Sequence, residues 1–295
     1  MSDRPPQRPV RRLGAVAHRR LWLGIAVFAA AVATILFSRD VLFDWDRIEI
    51  EAERSRRVAQ AALRLPLAGT PDLANLPGRL AEQGVALGAP VFIRIFKREF
   101  ELELWMKKDG RFHRFAVYPI CRWSGWLGPK LVEGDSQAPE GFYTVDAKAL
   151  NPASRWHRSF NLGYPNAFDR AHARTGSFVM VHGGCASIGC FAMTDAVVDE
   201  IWRLVTAALN GGQKRFQVQV YPFRMTQENL ERRQNAPWAP FWGDLKRGYD
   251  VFEATGLPPR IGLCAGRYTV APAAGGSDGG HEIDNSCINL TGSKG

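Results

Sequence analysis

The segment Val181-His-Gly-Gly-Cys-Ala-Ser-Ile-Gly-Cys190 holds the residue types best able to do chemistry in this chain. A thiol that follows a glycine, a few residues before a helix, has backbone N–H groups nearby. Those groups stabilise a thiolate and can also receive the oxyanion of a tetrahedral intermediate. An imidazole at the end of an adjacent strand, His182, can take the thiol proton, and the glycines leave room for a substrate carbonyl. Cys190 is the candidate nucleophile and His182 the candidate base; the plainer reading is a cysteine serving as a small apolar core residue. Cys185 reads as a spectator, a disulfide partner or a redox regulator. It lacks a following helix, so its removal is expected to leave much of the activity. His182, Cys185 and Cys190 also spell H-x2-C-x4-C, a zinc-like set whose nearest fourth ligands, Cys121 and His172, lack metal-like spacing. The thiol reading implies no metal and no organic cofactor.

These residues need a strand to deliver His182 and a helix after Cys190. Phe178-Val-Met-Val181 is a continuous apolar run, the pattern of a strand buried on both faces. Residues 195–209 carry a helical apolar face (Val198, Ile201, Trp202, Val205, Ala208, Leu209), with Thr194 or Asp195 to cap it and Asn210-Gly211-Gly212 to stop it. Upstream, Val91 opens a strand-rich stretch. Leu102, Leu104 and Met106 alternate with Glu101, Glu103 and Trp105, and Asp109-Gly110 predicts a hairpin to Arg111–Tyr118. Residues 119–177, rich in Gly, Pro, Asn and Ser, read as functional loops or short irregular strands. Residues 216–223 alternate as a strand and 226–256 as polar helices with buried aromatics, while the Gly/Ser/Asp-rich end reads as disordered. The fold class is α+β, mainly β with helices.

The 295 residues carry a net charge of +9, unevenly placed. Residues 1–20 hold six Arg against one Asp, leaving +4 for the other 275 residues. A nucleic-acid protein would carry its basic surplus on the folded part, so that class is ranked low. Leu21 to Phe37 is free of charge and follows Arg19-Arg20, the pattern of a membrane span with the N-terminus in the cytoplasm. Ala31-Val32-Ala33 fits a signal-peptidase site equally well. Either way the remainder is exported to oxidising surroundings, where the five cysteines tend to pair and an odd one is left over.

The chain resembles the L,D-transpeptidase catalytic-domain (YkuD-type) family, and within it the YafK-like branch. His182-Gly183 and Ser187-Ile188-Gly189-Cys190-Phe191 match the family pattern. Residues 118–130, 134–143, 159–166, 174–176 and 222–225 are similar to the branch. The resemblance implies a β-sandwich-like catalytic domain at 88–225, after a basic segment (1–20), a membrane or signal helix (21–37) and a juxtamembrane helical region (38–87). A helical extension (226–262) and a disordered tail (263–295) would follow. It also implies periplasmic acyl transfer on peptidoglycan peptide stems. Cys190 would attack the carbonyl of the L-centre of diaminopimelate, with His182 as base, the Gly183 carbonyl orienting it, and amides at Gly189 and Cys190 as the oxyanion site. A thioester would then meet an amine or water, the second releasing a stem-attached lipoprotein or cutting L,D links. Arg174, Ser187, Tyr143 and Tyr164 are candidate substrate contacts. The Arg174 fork suits a carboxylate, although a salt bridge to a loop fits it equally, and packing fits both tyrosines. Trp123 and Trp126 read as a platform or as core. Ile188 and Ala192 depart from the family, which often has His and Arg or Asn there. A non-enzymatic wall-binding or zinc-stabilised module is the alternative.

Overall fold

The computed structural model describes residues 45–283, with Trp22, residues 24–30, Val32 and Cys287. The chain divides into two units, Met1–Glu49 and Ile50–Gly295. Much of the span expected at 21–37 lies outside the described residues. Residues 24–30 are helical, and among the described residues no helix is long and apolar enough to cross a membrane.

Helix α1 (Trp45–Ala62) ends before Pro66, and the short α2 (Leu76–Gln83) follows, capped by Asn75 and closed by Gly84. Two five-stranded sheets then form. The first contains β1 (Val91–Phe96), β2 (Glu101–Lys108), β3 (Arg111–Pro119), β5 (Gly141–Asp146) and β10 (Arg215–Tyr221), in the order β3-β2-β1-β10-β5. The second contains β4 (Arg122–Trp123), β6 (Leu150–Ser154), β7 (His157–Asn161), β8 (Met180–His182) and β9 (Phe191–Ala192), in the order β4-β9-β8-β7-β6. The expected hairpin is present: Asp109 and Gly110, with φ of 50° and 82°, join β2 to β3. A right-handed strand twist favours such a two-residue turn, and only residues tolerant of positive φ can make it.

The main core draws on both sheets and on α4 (Asp195–Asn210). Val91, Ile93 and Ile95 of β1 face inward with Phe160 of β7, Val181 of β8 and Phe191 of β9, and α4 closes the layer with Val198, Ile201 and Val205. On the opposite face of β1, Phe92 and Phe96 pack under α6 (Ala239–Thr255), which follows the short α3 (Ala167–Ala171) and α5 (Gln227–Glu231).

Two expectations change. The run at 178–181 is not a strand buried throughout: β8 starts at Met180, while Phe178 takes φ of 52° and is 72% exposed. The stretch 119–177, read as functional loops or short irregular strands, contains the short strands β4 to β7. The tail expected to be disordered from 263 instead continues a hairpin, β11 (Arg260–Cys264) with β12 (Arg267–Ala271). Alternation of Ile261 with Leu263 and of Tyr268 with Val270 supplies its apolar face, and a disulfide ties Cys264 to Cys287.

One buried ion pair holds the loop between β4 and β5 against the sheets. Lys97, fully buried, donates to Glu140 Oε1 (2.9 Å) and to the carbonyls of Gly128 (2.8 Å) and Ala138 (3.0 Å). Glu140 receives the Gly128 N–H (2.7 Å) and, on its other oxygen, Trp242 Nε1 of α6 (2.8 Å). Burial pulls the Lys97 ammonium below its ordinary range, and Glu140 opposes that. Two charges taken from water persist only when their remaining valences are also filled, as here. Glu140→Gln leaves Lys97 buried without a counter-charge. We expect it to lower unfolding free energy by about 3–5 kcal/mol, read from the urea midpoint, with Lys97→Met/Glu140→Leu losing less than either single change.

Candidate active site

β8 and β9 run parallel, with Val181 opposite Phe191 and His182 opposite Ala192. Side chains alternate along a strand. Val181 and Phe191 therefore enter the core, Met180, His182 and Ala192 take the opposite face, and Cys190 stands one residue before β9. The register is pinned at its ends: Met193 N–H donates to His182 O (2.7 Å), Cys121 N–H to Ala192 O (2.8 Å) and Cys185 N–H to Met193 O (3.2 Å).

Cys190 is half-buried, and it is the free thiol among the described cysteines. Cys121 is joined to Cys185, and Cys264 to Cys287. The odd count thus resolves onto the residue that the motif singles out. The sulfur receives the Met180 N–H (3.4 Å) and lies 3.6 Å from Phe178 O, to which its proton is directed. Burial pushes the Cys190 thiol above its ordinary value, while the Met180 N–H and the charge of Lys130 pull the other way.

His182 is buried, and its Nδ1 lies 2.5 Å from Gly183 O. A carbonyl can only accept, so Nδ1 carries the proton and Nε2 of the neutral ring is the basic atom. Burial lowers the His182 pKa, with the Gly183 hydrogen bond opposing. Both shifts favour a neutral thiol beside a neutral imidazole at rest. The Trp156 ring, at the tip of the β6–β7 hairpin, lies 6.0 Å from the imidazole at 31°.

Ser187 organises the loop before the thiol. Its hydroxyl donates to Cys190 O (2.7 Å), accepts the Gly189 N–H (3.2 Å) and lies 3.2 Å from Ser124 Oγ. Gly189 takes φ of 130°, a conformation closed to side-chain-bearing residues. The Gly189 amide expected at an oxyanion site is therefore turned into its own loop. Ile188, in the place where a histidine is common in the family pattern, is 87% exposed.

The other expected contacts belong to the packing. Arg174 is buried, its Nη1 donates to Asp169 Oδ1 (2.9 Å), Phe168 and Phe241 lie against its guanidinium, and its Nε has no partner among the described residues. Tyr143 is buried with its hydroxyl on Glu140 O (3.2 Å) and Asp169 (3.3 Å), and it lines a cleft of about 320 Å³ whose walls include neither His182 nor Cys190. Tyr164 is buried and donates to Lys130 O (3.1 Å). Trp123 is core, and Arg54 lies over the rings of Trp123 and Trp126. The zinc-like set fails because Cys185 and its possible fourth partner Cys121 are bonded to each other. Sequence reasoning missed Trp156, the Met180 amide and Lys130, whose ammonium is held by Asp135 (2.5 Å). An aromatic at a hairpin tip, between Arg155 and His157, was the one local signal.

Residues 91–220 match the model of the L,D-transpeptidase catalytic domain, YkuD. The chain is 48% identical over 185 residues to the L,D-transpeptidase-family protein YafK of Escherichia coli (strain K12), covering 63% of this chain and 75% of that protein. The same values hold for YafK of Escherichia coli O157:H7. Among solved structures, a variant of the helical cell shape determining protein Pgp2 from Campylobacter jejuni has 19% identity and a TM-score of 0.39, over 62% of this chain and 66% of that one. Bd1075 of Bdellovibrio bacteriovorus has 18% identity and a TM-score of 0.33, over 55% and 60%. The chain thus spans slightly less than two thirds of these two structures.

Two measurements test the site. The rate of Cys190 alkylation by iodoacetamide should titrate with a midpoint above that of a free thiol, about 8.5; a midpoint below about 7 would reveal a preformed thiolate–imidazolium pair. The disulfide between Cys121 and Cys185 closes a loop of sequence separation 64. Loop entropy sets its contribution at about 4 kcal/mol. Cys121→Ser/Cys185→Ser should lower the urea midpoint accordingly while Cys190 remains alkylatable.

Proposed function

Since the chain belongs to the L,D-transpeptidase catalytic-domain family, we propose that it is a cysteine acyl-transfer enzyme acting on peptidoglycan peptide stems. The observation that carries this reading is the one free thiol of the described residues, one residue before a strand that pairs with the strand of a buried imidazole whose basic atom is Nε2. In the first half-reaction His182 Nε2 takes the Cys190 proton, and the sulfur bonds to the carbonyl carbon of the L-centre of diaminopimelate. The C–N bond beyond it breaks, and the leaving amine receives the proton from His182. In the second half-reaction an amine or water gives its proton to His182 and attacks the thioester, and the sulfur recovers the proton as it leaves. Hydrolysis would free a stem-attached protein or open an L,D link; aminolysis would make a new one.

An exported location follows from the same reading. The uncharged run at 21–37 with its basic flank, as anchor or cleaved signal, would take the remainder to the periplasm, where the two disulfides are at home. Arg174, Tyr143 and Tyr164 are buried, so exposed Ile188 and half-buried Trp156 join them as candidate substrate contacts.

The purified chain, incubated with peptidoglycan and read by mass spectrometry of the muropeptides, tests this proposal. Free tripeptide ends or released stem-attached protein would mark hydrolysis, and diaminopimelate–diaminopimelate links would mark transfer. We expect Cys190→Ala to remain folded and lose activity by at least about 1000-fold. Unchanged products with Cys190→Ala would end the proposal.

A further inference from the structure

Ser159 stands opposite His182 in the antiparallel β7–β8 ladder. Partners in such a ladder leave from the same face, with Cβ atoms about 4.5–5.5 Å apart, so the serine hydroxyl and the imidazole are neighbours. Ser159 is fully buried, yet its Oγ has no hydrogen-bond partner among the described residues. A buried hydroxyl left unpaired costs about 1–3 kcal/mol, and an alanine there would avoid that cost. The ring beside it is otherwise fixed, by Gly183 O on Nδ1 and by Trp156 near its face.

We propose that Ser159 is a positioning residue for His182, its hydroxyl oxygen serving as the polar partner of the imidazolium formed when Nε2 takes the Cys190 proton. The inference rests on the acyl-transfer reading and adds to it. A neutral ring with Nδ1 already satisfied asks nothing of the hydroxyl. Once the thiol proton moves to Nε2, the sulfur keeps the electron pair and the ring gains both an N–H and a positive charge. In a buried place a hydroxyl lone pair is worth more to that cation than it would be in water. The unpaired Oγ of the resting state is then an acceptor held ready for the protonated state, and Ser159 itself exchanges no proton.

The charges around the ring are otherwise committed. On β7, His157 and Arg158 pair with Asp199 of α4 (2.9 and 2.7 Å). Asp195 at the start of α4 receives the Gly184 N–H (2.8 Å). Arg155 lies over Trp156, and Lys130, which acts on Cys190, is bonded to Asp135; Arg122 of β4 stands beyond β9, in register with Ala192. None of these contacts involves Ser159, so its substitution isolates the hydroxyl.

The test uses the full chain, with iodoacetamide as the probe of Cys190 and thermal unfolding as the control. Ser159→Ala should unfold at the same or a higher temperature and slow alkylation at neutral pH by about three- to tenfold. Ser159→Thr, which keeps the hydroxyl, should keep the wild-type rate. If alanine is not tolerated, Ser159→Val and Ser159→Thr, alike in shape and differing in the hydroxyl, make the same comparison. A wild-type rate at neutral pH in Ser159→Ala or Ser159→Val, with His182→Ala still slow, would overturn the role of Ser159 and leave the acyl-transfer reading standing. Wild-type behaviour in His182→Ala as well would remove both.

Discussion

Parallel pairing between two very short strands decides what this protein can do. β8 and β9 contribute only a few residues each, yet their register alone sets which side chains meet. A slip by one residue would send Cys190 or His182 into the core and bring Val181 or Phe191 out. Strands this short cannot hold a register by ladder bonds alone. The task falls to flanking contacts: the apolar anchors Val181 and Phe191 below, and the Met193, Cys121 and Cys185 amides at the ends. The covalent bridge from Cys121 to Cys185 fastens the loop between base and thiol to the start of β4.

The electrostatics of the site follow from that burial. Desolvation raises the thiol and lowers the imidazole, and both shifts favour the neutral forms. Such a resting state keeps a lone thiol quiet towards stray electrophiles. It also puts weight on groups that stabilise charge only transiently. Gly183 O fixes the tautomer beforehand, and Ser159 on the neighbouring strand can respond afterwards. The Lys97–Glu140 pair acts at a distance from the chemistry by holding the 124–140 segment, whose Ser124 meets Ser187 beside the thiol.

Much of this was legible in the sequence where the determinants are local. Alternation in 101–106 and the Asp109-Gly110 turn gave a hairpin, and the apolar face of 195–209 gave a helix. The motif and the odd cysteine count picked out Cys190 and His182. Legibility failed wherever a partner is remote. Arg174 read equally as a carboxylate fork or a salt bridge, and nothing in its composition shows that the short helix before it turns Asp169 back onto it. Tyr143 and Tyr164 looked like cleft residues until their hydroxyls proved to be bonded inward. Phe178 looked like core, yet the backbone turns there and offers its carbonyl to the sulfur instead. Ser159 and Trp156 were hidden in a stretch of turn-forming composition, because β7 is short and its pairing with β8 spans more than twenty residues.

The bridge between Cys121 and Cys185 gives the chain a chronology. A freshly made polypeptide with all its sulfurs reduced can pair β8 with β9, but the loop between them is not yet fastened. That fastening waits for an oxidant. The loop is thereby fastened only in surroundings that remove two electrons from those sulfurs. A polypeptide held among reductants would carry every residue of the site and still lack its final brace.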